Sequence, residues 1–355
     1  MVGFKRNDIA WKIGNRENMQ KPKSAVAVIL VVVYLVILPL IFHDAKYFLN
    51  VIITCSVLSI MGLGIWITFT LGLVNIGQAA FCTIGAYTTA ILSLRYGISF
   101  WLCLPISGLV ASGIGILIGM PILRLKGVYF AMITISLGEA VRLLFMSGGT
   151  FTGGATGLWG IARPSEISIG GVKLIPAFTA ADYLYFYFLS AVLLILVLLV
   201  IRRLDRSRIG WAFRAIRQSD ALAASVGIHV ARYRVMAFGI SCFLGGIGGS
   251  FMVSYMTTIY PNSYTIADSI NFMLYCFIGG LDFILGPVVG TFILVGSSEA
   301  LRLFVEQEYQ ALIYAIIMIG AVLWLPNGVL SLSWGSKGRK AARKGGRELI
   351  ISKEG

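Results

Sequence analysis

Asn75 and Gln78 are two uncharged amides three residues apart, in the stretch Leu71-Gly-Leu-Val-Asn-Ile-Gly-Gln78 between two long apolar runs. An unpartnered amide at membrane depth is costly, so such side chains must face protein or a water-filled passage. The chemistry open to them is hydrogen bonding to a passing solute, not bond making. Paired helix breaks often line a substrate path. The stretch reads equally well as a tight turn at a membrane face, and spacing leaves both readings open. A second interruption, Gly279-Gly-Leu-Asp-Phe-Ile-Leu-Gly-Pro287, reads rather as a turn, because Asp282 falls near the more basic side.

Other polar groups are sparse. Phe151-Thr-Gly-Gly-Ala-Thr-Gly-Leu158 offers the Thr152 hydroxyl and the backbone of Gly153 and Gly154 to a ligand or docking partner, or serves as a connector. A Glu-Ala-x-Arg quartet occurs at Glu139–Arg142 and at Glu299–Arg302. Charges three apart on a helix can pair, which lowers the cost of placing them near lipid. No catalytic constellation is present. The chain has no Gly-Lys dipeptide, which excludes a phosphate-binding P-loop. No carboxylate or histidine sits mid-span as a proton relay would require. The five cysteines lie singly in apolar runs and read as small buried hydrophobes, and neither histidine has a metal-ligand neighbour. Neither a metal nor a cofactor is expected. Neither nucleotide hydrolysis nor proton coupling has residues here, so a separate ATPase would supply any work.

The elements that position these residues follow from composition. The 355 residues are 58% hydrophobic and only 12% charged. Mean hydropathy is +0.87. A soluble domain carries about twice that charge, so lipid is the solvent for much of this chain. A spanning helix needs ~20 apolar residues. The apolar runs predict an all-α polytopic bundle of about ten transmembrane helices. They fall near 25–42, 48–71, 78–94, 99–123, 128–146, 183–201, 235–256, 269–280, 287–304 and 311–325. The first run has no small-x-small cleavage pattern and reads as a retained helix, not a signal peptide.

The net charge of +14 is explained by topology rather than by nucleic acid. Arg202–Arg234 holds eight arginines, whereas Ser147–Asp182 holds only Arg163 and Lys173 against Glu166 and Asp182. Basic loops stay cytoplasmic. The expected layout is a basic cytoplasmic leader over 1–24 and a permease domain over 25–330. Within it, loop 202–234 is cytoplasmic and loop 147–182 periplasmic. A basic cytoplasmic tail covers 331–355. Glycine pairs at Gly115/Gly119, Gly245/Gly249 and Gly286/Gly290 read as close packing within the bundle.

Ser207–Val226 has a helical pattern, with Ile209, Phe213, Ile216, Ala223 and Val226 apolar and Arg214, Arg217 and Asp220 on other faces. Gly227 suits a helix stop. An amphipathic helix of this kind lies on the membrane or docks into another protein. Spacing does not choose between them.

Three stretches carry a resemblance to a known family. They are Gly72–Tyr87 (GLVNIGQAAFCTIGAY), Leu123–Arg142 followed by Thr152–Leu158 (TGGATGL), and Gly210–Ile228 (GWAFRAIRQSDALAASVGI) continuing through Gly286-Pro287. The chain resembles the permease subunits of branched-chain amino-acid ATP-binding-cassette importers, of the longer LivM type, with urea and short-amide permeases as cousins. The resemblance implies a second homologous permease, two cytoplasmic ATPase subunits that bind the ATP, and a periplasmic solute-binding protein. It implies a multi-pass protein of the bacterial inner membrane, and the even number of runs with basic ends puts both termini in the cytoplasm. It also implies that Ser207–Val226 is the segment that docks on the ATPase. Two places depart from the family pattern, Thr68-Phe-Thr-Leu-Gly72 and Gly279-Gly-Leu-Asp-Phe283, and both adjoin the interruptions.

Overall fold

The computed structural model describes residues 46–125, 127–169, 172–175, 178 and 183–304, and single or short positions at 34, 39, 309, 313, 315, 316, 318–320 and 328–331. The leader, the run 25–42, the run 311–325 and the tail fall outside this set or meet it only at those positions. The rest is an all-α membrane protein.

In chain order the helices are α1 (Lys46–Thr70), α2 (Gln78–Tyr96), α3 (Phe100–Ile122), α4 (Val128–Ser147) and a single turn α5 (Gly149–Thr152). Then come α6 (Tyr183–Asp205), α7 (Arg208–Gln218), α8 (Asp220–Ser225), α9 (Val230–Met256), α10 (Ile266–Gly279) and α11 (Gly286–Phe304). Among the described residues, α1, α3, α4, α6 and α9 are long and apolar enough to cross a bilayer. Helix boundaries match the expected runs within a few residues.

Two expectations change. Ser207–Val226 is not one helix: Ser219 is extended and caps α8 through its hydroxyl, which accepts from Leu222 N–H. Ser207 caps α7 in the same way through Ile209 N–H. Serine competes with the helix ladder for backbone hydrogens, so it starts helices rather than continuing them. Loop 147–182 also has structure of its own. Strand β1 (Leu158–Trp159) pairs antiparallel with β4 (Thr258–Ile259), and β2 (Ile167–Ile169) pairs with β3 (Val172–Ile175).

Helix α9 is the centre of the bundle and packs against α3, α2 and α1. Lipid gives no hydrophobic contrast between helices, so close backbone approach must hold them together. Glycines allow it. A side chain at Gly85 of α2 would overlap the backbone of Gly246, and one at Gly249 would overlap the Cys82 carbonyl. Phe238 of α9 then packs edge-on against Phe81 of α2 and Phe130 of α4. The glycine pairs seen in the sequence all face neighbours in the same chain.

The second interruption is a tight helical hairpin. Gly279 and Gly286 meet backbone to backbone, and the Leu281 carbonyl accepts from Trp66 Nε1 at 2.9 Å.

Candidate functional site

The first interruption is not a turn at the surface. Residues 71–77 run from the end of α1 back into the bundle, and Asn75 and Gln78 are both fully buried. Several freed backbone N–H groups on and beside this segment find partners. Leu73 N–H donates to the Thr68 carbonyl at 3.0 Å, Ile76 N–H to Thr134 Oγ1 at 3.2 Å, and Gly77 N–H to Asn75 Oδ1 at 3.0 Å. Ala79 N–H donates to Ser269 Oγ at 2.9 Å. Bundle side chains thus replace the helix ladder, as depth in a membrane requires.

The two amides form one network with α9. Asn75 Nδ2 donates to Gln78 Oε1 at 3.3 Å, Ser241 Oγ donates to the same oxygen at 2.9 Å, and Gln78 Nε2 donates to the Ser241 carbonyl at 3.0 Å. Gln78 lies between Gly64 of α1 and Gly245 of α9, where a side chain on either would strike it. Ser241, Thr134 and Ser269 were not singled out in the sequence. Each is a small hydroxyl in a mostly apolar helix, and nothing in its spacing marks it.

The glycine-rich segment lies elsewhere. Thr152 is buried and donates to the Phe145 carbonyl at 2.6 Å. Gly153 has φ +75°, and a side chain there would overlap the Gly157 carbonyl. Gly154 has φ +53°. The segment sits by the C-terminal end of α2, where Arg95 donates to the Thr150 carbonyl and stacks over Phe151. Gln78 is at the other end of that helix, about 25 Å away by helical rise. Thr152, Gly153 and Gly154 therefore do not converge with Asn75 and Gln78 on one site.

At the arginine-rich end, α7 and α8 are fastened to the bundle by three ion pairs. Arg214 meets Asp205 at the end of α6, Arg217 meets Asp282 in the α10–α11 hairpin at 3.5 Å, and Asp220 meets Arg234 of α9 at 2.7 Å. Phe213 and Ile216 turn inward and are buried, with Phe213 edge-on to Tyr233. Gly227 (φ +84°) ends α8, with Gly227 N–H on the Ala224 carbonyl and Ile228 N–H on the Ala223 carbonyl. This double bond pattern is a Schellman stop. The outward apolar groups of the segment are Trp211, Leu222 and Val226. Gly72, at the entry to segment 71–77, faces Arg217: a Cβ there would meet its stem at 3.5 Å.

Both Glu-Ala-x-Arg quartets are local ion pairs, Glu139 with Arg142 and Glu299 with Arg302. Tyr47 also donates to Glu299 at 2.7 Å. Among the described residues no group of His, Cys, Asp or Glu could hold a metal.

These features have relatives. The chain is 33% identical over 289 residues to the high-affinity branched-chain amino acid transport system permease protein LivM of Escherichia coli, covering 77% of this chain and 68% of that one. It is 27% identical over 301 residues to the probable branched-chain amino acid transport permease protein LivH of Methanocaldococcus jannaschii, covering 80% and 91%. A more distant relative is the autoinducer 2 import system permease protein LsrC of an Enterobacter strain, 24% identical over 263 residues and 70% of each chain. No solved structure matches. The family of permease components of branched-chain amino acid transport systems matches residues 47–322, which hold both the buried amide network and the α7–α8 segment, and the chain belongs to it.

Proposed function

We propose that this chain is one of two permease subunits of an ATP-binding-cassette importer that moves branched-chain amino acids into the cytoplasm. The observation that carries this beyond family membership is that Gly72 faces Arg217, so that a Cβ there would lie within about 3.5 Å of the Arg217 stem. It joins α7, the part of the chain suited to receive work from outside, to the segment that holds Asn75 and Gln78. The sequence has no P-loop, so on this reading two partner ATPases bind and hydrolyse ATP and the chain itself needs no cofactor. A periplasmic binding protein delivers the solute to the opposite end. The full bundle has about ten spans in the inner membrane, with both termini, loop 202–234 and α7–α8 cytoplasmic. Urea or a short amide is the alternative solute, and a stand-alone secondary carrier the alternative mechanism.

The ATPase contact on this reading is made by the outward groups Trp211, Arg217, Leu222 and Val226. Phe213 and Ile216 support it from beneath. Reconstituted vesicles with all subunits test the proposal: leucine uptake should need ATP and ignore a protonophore. Uptake abolished by a protonophore and indifferent to ATP would overturn it.

A further inference from the structure

A half-open cavity of about 190 Å³ lies between α1, the end of α9, β4 and the start of α10. It is at the end of the bundle away from α7 and α8: Met252 is about 27 Å along α9 from Arg234 by helical rise. Its apolar wall includes Leu58, Met252, Val253 and Phe272. Its polar edge includes Thr54, Thr258, Tyr264 and Asp268. A site of ~150 Å³ accommodates benzene. This one therefore suits a solute of roughly six to nine non-hydrogen atoms.

Asp268 is the acid of this cavity, and no Lys, Arg or His is among the residues that line it. Asp268 Oδ2 is occupied, accepting from Thr265 N–H at 2.7 Å and Thr265 Oγ1 at 2.8 Å in the capping box of α10. Oδ1 has no hydrogen bond or ion pair among the described residues. The hydroxyls of Thr54 and Thr258 are likewise without a hydrogen bond among the described residues. Burial holds the Tyr264 phenol well above its usual value, which keeps it a neutral donor. Thr257, beside the cavity, is the one non-glycine with positive φ among the described residues, at 61°. A β-branched residue in that conformation is strained, and strain of this kind gathers at ligand clamps.

We propose that this cavity is a solute station of the permease, in which Asp268 receives the ammonium group of an apolar amino acid and Leu58, Met252, Val253 and Phe272 receive its side chain. The inference rests on the amino-acid import reading above. The lining hydroxyls take the solute's carboxylate, and no cation there holds it. Binding is consequently weak, as a station that must pass its solute onward requires.

Asp268→Asn separates charge from capping, since the amide oxygen still accepts from Thr265 N–H. Thr265→Ala weakens the cap and keeps the charge. The complete transporter in vesicles should show ATP-driven leucine uptake that falls at least about tenfold in Asp268→Asn and less than about twofold in Thr265→Ala. Unchanged uptake in Asp268→Asn, or equal losses in both variants, overturns the station and leaves the import reading intact. No leucine uptake by the wild-type transporter overturns both. A second measurement does not depend on Asp268→Asn assembling. The native cysteines are all buried, so Thr258→Cys offers a single reactive thiol, and millimolar leucine should slow its modification. A rate indifferent to leucine overturns the station.

Discussion

Arg234 of α9 reaches the Asp220 carboxylate of α8 at 2.7 Å and the Leu123 carbonyl beyond α3 at 3.2 Å. One guanidinium thus joins three parts of the chain at the arginine-rich end. Arg234 is only 7% exposed. Removing the carboxylate leaves a buried cation with the Leu123 carbonyl but no counter-charge from α8. Asp220→Ala should destabilise the protein by an amount near the lower end of roughly 3–5 kcal/mol, since Asp220 is partly solvated. Thermal unfolding in detergent measures this. A loss below about 0.5 kcal/mol would show that the pair carries no structural weight.

Phe213 and Leu222 should fail in different ways. Phe213 is buried, so Phe213→Ala opens a cavity and should cost about 3–5 kcal/mol, lowering yield and melting temperature. Leu222 is exposed, so Leu222→Glu should leave melting unchanged while lowering ATPase co-purification and solute-stimulated hydrolysis. Normal co-purification with Leu222→Glu and with Val226→Glu would move the docking surface elsewhere.

Gln78→Leu removes the acceptor of the Asn75 Nδ2 and Ser241 Oγ donors, while Asn75 Oδ1 keeps Gly77 N–H. Each orphan costs about 1–3 kcal/mol. If the network only supports the fold, uptake should fall in step with the amount of assembled protein. If it lies on the path, uptake per assembled complex should fall several-fold, and Asn75→Leu should do the same. Full uptake per complex in both variants would remove these amides from the path.

Glycine substitutions should split by position. Gly85→Ala places a methyl group into the Gly246 backbone, which cannot move aside, and should abolish a well-packed bundle. Gly138 on α4 has open space around it. There alanine should stabilise the helix, by up to about 1 kcal/mol. Expression level and melting temperature check both, and a Gly85→Ala protein as stable as wild type would mean that α2 and α9 lie further apart.

Side-specific labelling tests the topology. Because the native cysteines are buried, background is low. Thr156→Cys should react with an impermeant thiol reagent added from the periplasm, and Ser225→Cys should react only once the membrane is opened. The reverse pattern would invert the bundle.

The sequence alone determined the solvent, the helices and the family. Long apolar runs are read directly by lipid, and each helix closes its own backbone hydrogen bonds, so α1–α4, α6 and α9–α11 were legible to within a few residues. Gly227 as a helix stop was legible because a left-handed residue is a local requirement. Asp268 was half legible: Thr265-x-x-Asp268 is a capping pattern that spacing shows, but the cavity beside it is not. Tertiary structure decided the rest. The choice between a surface turn and a buried break at 71–77 depends on whether Thr134, Ser241 and Ser269 arrive to accept its backbone and amides, and they come from helices far along the chain. The inward turn of Phe213 depends on where α9 and Tyr233 stand, which helical periodicity cannot report: it groups residues on a face but does not say what that face meets. The separation of Gly153 and Gly154 from Gln78 is likewise a matter of which end of α2 each occupies, fixed by packing against α9 and not by any residue's type.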